Sequence, residues 1–127
     1  MKKALSVKRL SKSFSYAAHG FIKSFREEAN MKLHILITLV VILSGFLFHV
    51  SKMEWIVLIF CIGLVIGAEL LNTAIENLVD LVTKEKSNQA ALVKDVSASF
   101  VLILSIMSAI IGLIIFIPKF LEFIGVI

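Results

Sequence analysis

Apolar residues in this chain fall into three long runs separated by short polar stretches, and a mixed basic and aromatic segment precedes them. In that segment, residues 4–28, Leu5, Leu10, Phe14, Ala17, Ala18, Phe21, Ile22 and Phe25 recur at helical spacing. Lys8, Arg9, Lys12, Lys23 and Arg26 occupy much of the remaining surface. The pattern predicts an amphipathic helix lying in a membrane interface, with its aromatic face in the acyl boundary and its cations near lipid phosphates. Leu33 to Val50, 18 residues, is the first spanning candidate. At about 1.5 Å rise per residue it covers roughly 27 Å, close to the thickness of the hydrocarbon core. A spanning helix is therefore expected over 31–50. The link 51–54 is short, so the next helix must return antiparallel, and Trp55 then stands where an interfacial aromatic belongs. This second helix is expected over 55–82. Residues 83–90 read as a polar loop. A third span over 94–117 is expected to stop at Pro118, which lacks the N–H that a continuing helix needs.

Composition agrees with a membrane protein. The 127 residues suffice for one domain, 1–127, and 59% of them are apolar, against roughly half in soluble domains. The single Cys, Cys61, lies in an apolar run and excludes an internal disulfide. Met1 to Asn30 is interrupted throughout by Lys, Arg, Ser and Glu, so no cleavable signal is expected there. The net charge of +4 does not point to nucleic acid, because eight of the 13 Lys and Arg lie between Lys2 and Lys32, beside the first span. Basic residues so placed report topology and anionic lipid. Lys84, Lys86 and Lys94 add to the same side. The positive-inside rule then puts the N-terminus and the second loop in the cytoplasm and the C-terminus outside.

The chemistry lies on the second helix. Glu69, Asn72, Glu76 and Asp80 are spaced by three, four and four residues, so all project from one helix face. Ionisable groups within a span are costly and mark paired or functional sites. Three carboxylates on one face repel each other, and only Lys32 and Lys94 lie at a suitable depth to offset them. Mg²⁺, which takes oxygen ligands and bridges phosphates, is the expected complement. Glu28 before the first span, and Lys94 and Asp95 before the third, converge on the same membrane face. This arrangement suits phosphoryl transfer, which needs positioning and charge neutralisation more than covalent chemistry. A lipid hydroxyl would approach from the membrane side, where Glu69 lies deepest and can accept its proton. Lys94 would act as a point charge on a phosphate. Neither G-x-x-x-x-G-K-[ST] nor G-x-G-x-x-G occurs, which excludes the soluble nucleotide-binding classes. Gly63 and Gly67 read as a helix-packing pair. His19, His34 and His49 read as interfacial residues, not metal ligands. The competing class is a small ion or proton channel or transporter lined by Glu69, Glu76 and Asp80; a structural adaptor would have no use for a buried acidic face.

The run Glu69-Leu-Leu-Asn-Thr-Ala-Ile-Glu-Asn-Leu-Val-Asp80 resembles the signature of the bacterial integral-membrane diacylglycerol kinase and undecaprenol kinase family. Lys94-Asp95 followed by Ser97, Ala98 and Ser99, the segment Phe14-x-Tyr16-Ala17 with Gly20-Phe21, and Glu28-x-Asn30-x-Lys32 match its other blocks. The resemblance runs from about residue 8 to residue 119. It implies an all-α homotrimer of three-span subunits in the bacterial plasma membrane, with active sites shared between protomers. It implies Glu69 as general base, Glu28 and Glu76 as Mg²⁺ ligands, and Arg9, Tyr16, Glu28, Glu76, Asp80, Glu85, Lys94 and Asp95 as ATP-binding residues, with Asn72 in support. Lys86 and Ser87 stand where the proteobacterial members have an ATP-contacting His. Asn30-Met-Lys-Leu-His34, Glu54-Trp55 and Ile115-Phe-Ile-Pro-Lys119 look more like the Gram-positive branch, which implies undecaprenol as substrate, with diacylglycerol the alternative.

Overall fold

The computed structural model describes residues 7–126 and consists of helices throughout: α1 (Val7–Glu27), α2 (Ala29–Leu47), α3 (Lys52–Val82) and α4 (Asn88–Phe123). Residues 4–6 of the expected first helix lie outside the described residues. Three of the helices, α2, α3 and α4, are long and apolar enough to cross a membrane. With 31 residues, α3 is about 46 Å long, well beyond the roughly 30 Å of a hydrocarbon core. Part of it must therefore project past the apolar layer.

A single residue in extended conformation, Glu28 (φ −99°, ψ 121°), separates α1 from α2. Its N–H still donates to the Ser24 carbonyl at 2.9 Å, and its own carbonyl accepts from Lys32 N–H at 3.3 Å. The chain thus changes direction while both backbone groups of Glu28 stay hydrogen-bonded.

The α2–α3 hairpin is closed by three devices in succession. Val50 N–H donates to the Gly45 carbonyl and His49 N–H to the Phe46 carbonyl, with His49 in the left-handed region (φ 48°). This pair of bonds is a Schellman closure in which a histidine fills the position usually given to glycine. Ser51 then caps α3. Its hydroxyl accepts from Glu54 N–H at 3.2 Å, while the Glu54 carboxylate accepts from Ser51 N–H at 2.6 Å. Finally, the Trp55 ring packs against Gly45, its centroid 5.0 Å from that of the Phe46 ring.

α4 differs from expectation at both ends. It begins at Asn88, because the Ser87 hydroxyl accepts from Ala90 N–H at 3.1 Å and caps a run of good helix formers. It also continues through Pro118 to Phe123. Proline costs the helix one hydrogen bond, but Phe48 packs against Phe116, Phe120 and Phe123 on both sides of it, and Lys119 Nζ reaches Glu54 Oε2 at 3.1 Å. Packing by neighbouring helices is what lets spanning helices carry proline.

A side chain at position 45 would overlap Trp55, since an added Cβ would meet the indole ring 2.5 Å away. Gly45→Ala should therefore destabilise the hairpin by about 1–3 kcal/mol through overpacking, read as a lowered thermal midpoint in mild detergent.

Candidate active site

The acidic face of α3 forms as the spacing requires, and its exposure rises steadily along the helix. Glu69 is 2% exposed and Asn72 6%; Glu76 is half-buried and Asp80 exposed. The helix therefore carries its carboxylates from the apolar interior out to its polar end.

Glu69 is enclosed from the α2 side. Glu28 and Glu76 contribute like charges around it, and Asn30 lies near it at the start of α2. His34 Nε2 stands 3.9 Å from Glu69 Oε2. Asn30 and His34 are one helical turn apart, so they face α3 together with Met31, which is fully buried between them. One turn further along α3, Asn72 Nδ2 donates to Glu76 Oε1 at 3.1 Å and fixes that carboxylate's orientation. Asn72 Oδ1 is buried and has no hydrogen-bond partner. α1 closes the same region, with Ser24 buried and its hydroxyl 3.5 Å from that of Thr73, which in turn donates to the Glu69 carbonyl at 3.0 Å.

A second group lies at the polar end. Lys94 Nζ is 2.6 Å from Asp80 Oδ1, joining α4 to α3. Together with Glu85, Lys86 and Ser87 they line a cleft of about 400 Å³. Asp95 is exposed on α4 beside Lys94, and its carbonyl accepts from the Ser99 hydroxyl. Arg9 and Tyr16 lie on the exposed surface of α1.

The structure thus sets Glu69, Asn72 and Glu76 along one face of α3 with Glu28 within electrostatic range of Glu69, and brings Asp80, Glu85 and Lys94 together at one cleft. Sequence reasoning assigned His34 to the interface, yet it faces Glu69. Asn30 entered only as part of a motif. The available signal was depth, since both residues begin the first span on the side where Glu69 must lie. The opposite end of the bundle holds the Lys119–Glu54 pair.

Among the described residues, no group of three or more His, Cys, Asp or Glu side chains is close enough to hold a metal by itself. Two carboxylates are nevertheless a fitting donor set for Mg²⁺, which retains waters and takes much of its coordination from substrate phosphates.

The profile of the prokaryotic diacylglycerol kinase family matches residues 15–116, from α1 almost to the end of the third span. The chain belongs to this family. It is 40% identical over 111 residues to the undecaprenol kinase of Bacillus subtilis, an alignment covering 87% of this chain and 90% of that one. It is 33% identical over 111 residues to a diacylglycerol kinase of Synechocystis, covering 87% of this chain and 63% of the relative. The diacylglycerol kinase of Pseudomonas aeruginosa is 35% identical over 93 residues, covering 73% and 76%. The protein is accordingly a multi-pass membrane lipid kinase, and the channel and adaptor readings lose their ground.

The Lys94–Asp80 pair is half to well exposed, at 36% and 64% of the two side chains, and exposed pairs contribute little to stability. Lys94→Met should lower stability by less than about 1 kcal/mol, measured as the shift of the thermal midpoint in detergent.

Proposed function

We propose that the protein phosphorylates undecaprenol, transferring the γ-phosphoryl group of ATP to the terminal hydroxyl of the lipid at the cytoplasmic membrane surface. The observation that carries this reading is the acidic ladder of α3, which leads from a buried Glu69 to an exposed Asp80 beside Lys94. Undecaprenol is preferred to diacylglycerol because the relative with 40% identity over nine-tenths of its own length is an undecaprenol kinase.

In this reading Glu69 takes the proton of the lipid hydroxyl as its oxygen bonds to the γ-phosphorus. The bond from phosphorus to the β–γ bridging oxygen breaks, and its electron pair leaves with ADP. Glu28 and Glu76 would hold Mg²⁺, whose chemistry when bound is to neutralise charge on the β- and γ-phosphates. Asn72 keeps Glu76 oriented through the 3.1 Å bond. Asp80, Glu85 and Lys94 line the polar-end cleft where the nucleotide would lie, with Lys94 exchanging its carboxylate partner for a phosphate oxygen, and Asp95 would reach the nucleotide from the next position on α4. Arg9 and Tyr16 would reach the nucleotide from α1.

The basic residues around α1 and the 83–94 segment support a cytoplasmic site, with the C-terminus outside. Leu10, Phe14 and Phe21 are exposed on α1, which supports its lying as an amphipathic helix in the interface. Association with neighbouring copies, as the homotrimer with shared sites that the family resemblance implies, is supported by the polar face of α3, which neighbours would shield from lipid.

Purified protein in mild detergent, given labelled ATP with Mg²⁺, should transfer label to undecaprenol faster than to diacylglycerol. Glu69→Gln should lower kcat by about 10²–10⁴-fold, the usual contribution of a positioned general base. Faster transfer to diacylglycerol would reassign the substrate, and full activity of the Gln variant would remove Glu69 from the chemistry.

A further inference from the structure

A carboxylate 2% exposed inside a helical bundle stays ionised only if something nearby offsets the loss of water. The surroundings of Glu69 make this harder, because Glu28 and Glu76 add like charge. The two lysines that sequence depth made available do not serve it. Lys94 is engaged by Asp80 at 2.6 Å, and Lys32 is exposed. What the carboxylate meets instead is the imidazole of His34, 3.9 Å away and itself only 14% exposed, with the Asn30 amide one turn earlier on the same helix.

His34 has mostly apolar neighbours, with Thr38, Ser105 and Ser108 the polar residues of the cleft it lines. Its ring lines a cleft of about 400 Å³ between α2, α3 and α4, whose walls include Leu58, Cys61, Val65 and Phe116. It thus stands between a largely apolar space and the carboxylate. The distance of 3.9 Å is within ion-pair range but too long for a hydrogen bond, and an approach of about 1 Å by either side chain would close one.

We infer that His34 is the positioning residue of Glu69: closing the 3.9 Å gap, its imidazole N–H donates to the carboxylate and fixes its orientation toward the lipid hydroxyl. This inference rests on the reading of Glu69 as general base. His34 contacts Glu69 and not the reacting atoms, so its loss acts on turnover and not on binding of either substrate.

The test compares His34→Leu and His34→Met, which keep bulk without a donor, with His34→Gln, whose amide nitrogen falls near the position of Nε2. Each is assayed in the full-length protein with undecaprenol and Mg·ATP, beside Glu69→Gln. The Leu and Met variants should lose about 10- to 100-fold in kcat, the size of effect that a misplaced catalytic group produces. Their KM values for ATP and lipid should stay within about twofold, and His34→Gln should recover most of the lost kcat. If Leu or Met at position 34 leaves kcat unchanged, or if Gln is as defective as they are, the inference is overturned. Full activity of Glu69→Gln would instead overturn the reading of Glu69 on which it stands, so the two failures are distinguishable.

Discussion

The energetic cost of burying a carboxylate among apolar helices governs this structure. Glu69 sits at the least exposed point of the acidic face, and every element near it supplies something that makes that position tenable. α2 offers Asn30 and His34, α1 brings Ser24 against Thr73, and the remaining acidic residues lie progressively closer to water. Ionisable groups are rare within spans because each must be compensated in this way. Here the compensation is incomplete by design of the sequence: two further carboxylates crowd the same region, and Asn72 Oδ1 is left without a partner. A site with surplus negative charge and unused acceptors is suited to a cationic complement arriving with a phosphorylated substrate.

The helix register that places these groups is set far from them. The hairpin between α2 and α3 is closed tightly by the turn at His49, the Ser51 cap and the Trp55–Gly45 contact, and this fixes which residues of the two helices lie opposite one another. α3 and α4 are tied at both ends, by Lys119–Glu54 at one and Lys94–Asp80 at the other. In both pairs the α4 partner lies three or four residues further from the intervening loop than its α3 partner, as a single antiparallel register requires. Glu28 is itself the one extended residue between α1 and α2, within electrostatic range of Glu69 on α3.

Much of this is visible in the sequence because helices impose their own periodicity. The three spans follow from apolar runs, and the shared face of Glu69, Asn72, Glu76 and Asp80 follows from spacing alone. Pairings between helices do not follow in this way. His34 looks like an ordinary interfacial residue until α2 is laid against α3, and the Ser24–Thr73 contact joins residues far apart in the chain. Pro118 shows the same limit from the other direction. Its local chemistry argues for a helix end, yet the phenylalanines of α4 packed on Phe48 carry the helix past it. Local rules located the site; tertiary packing decided its neighbours.

The central claim is a division of labour along α3, with the buried carboxylate accepting a proton and the outer ones holding metal and nucleotide. Calorimetric titration of Mg·ATP into wild-type, Glu69→Gln and Glu76→Gln protein in the same detergent tests it most directly. The account predicts that Glu69→Gln binds Mg·ATP within about twofold of wild type, whereas Glu76→Gln loses about tenfold or more of its Mg²⁺-dependent affinity. Equal loss of binding in both variants, or unchanged binding in Glu76→Gln, would contradict it.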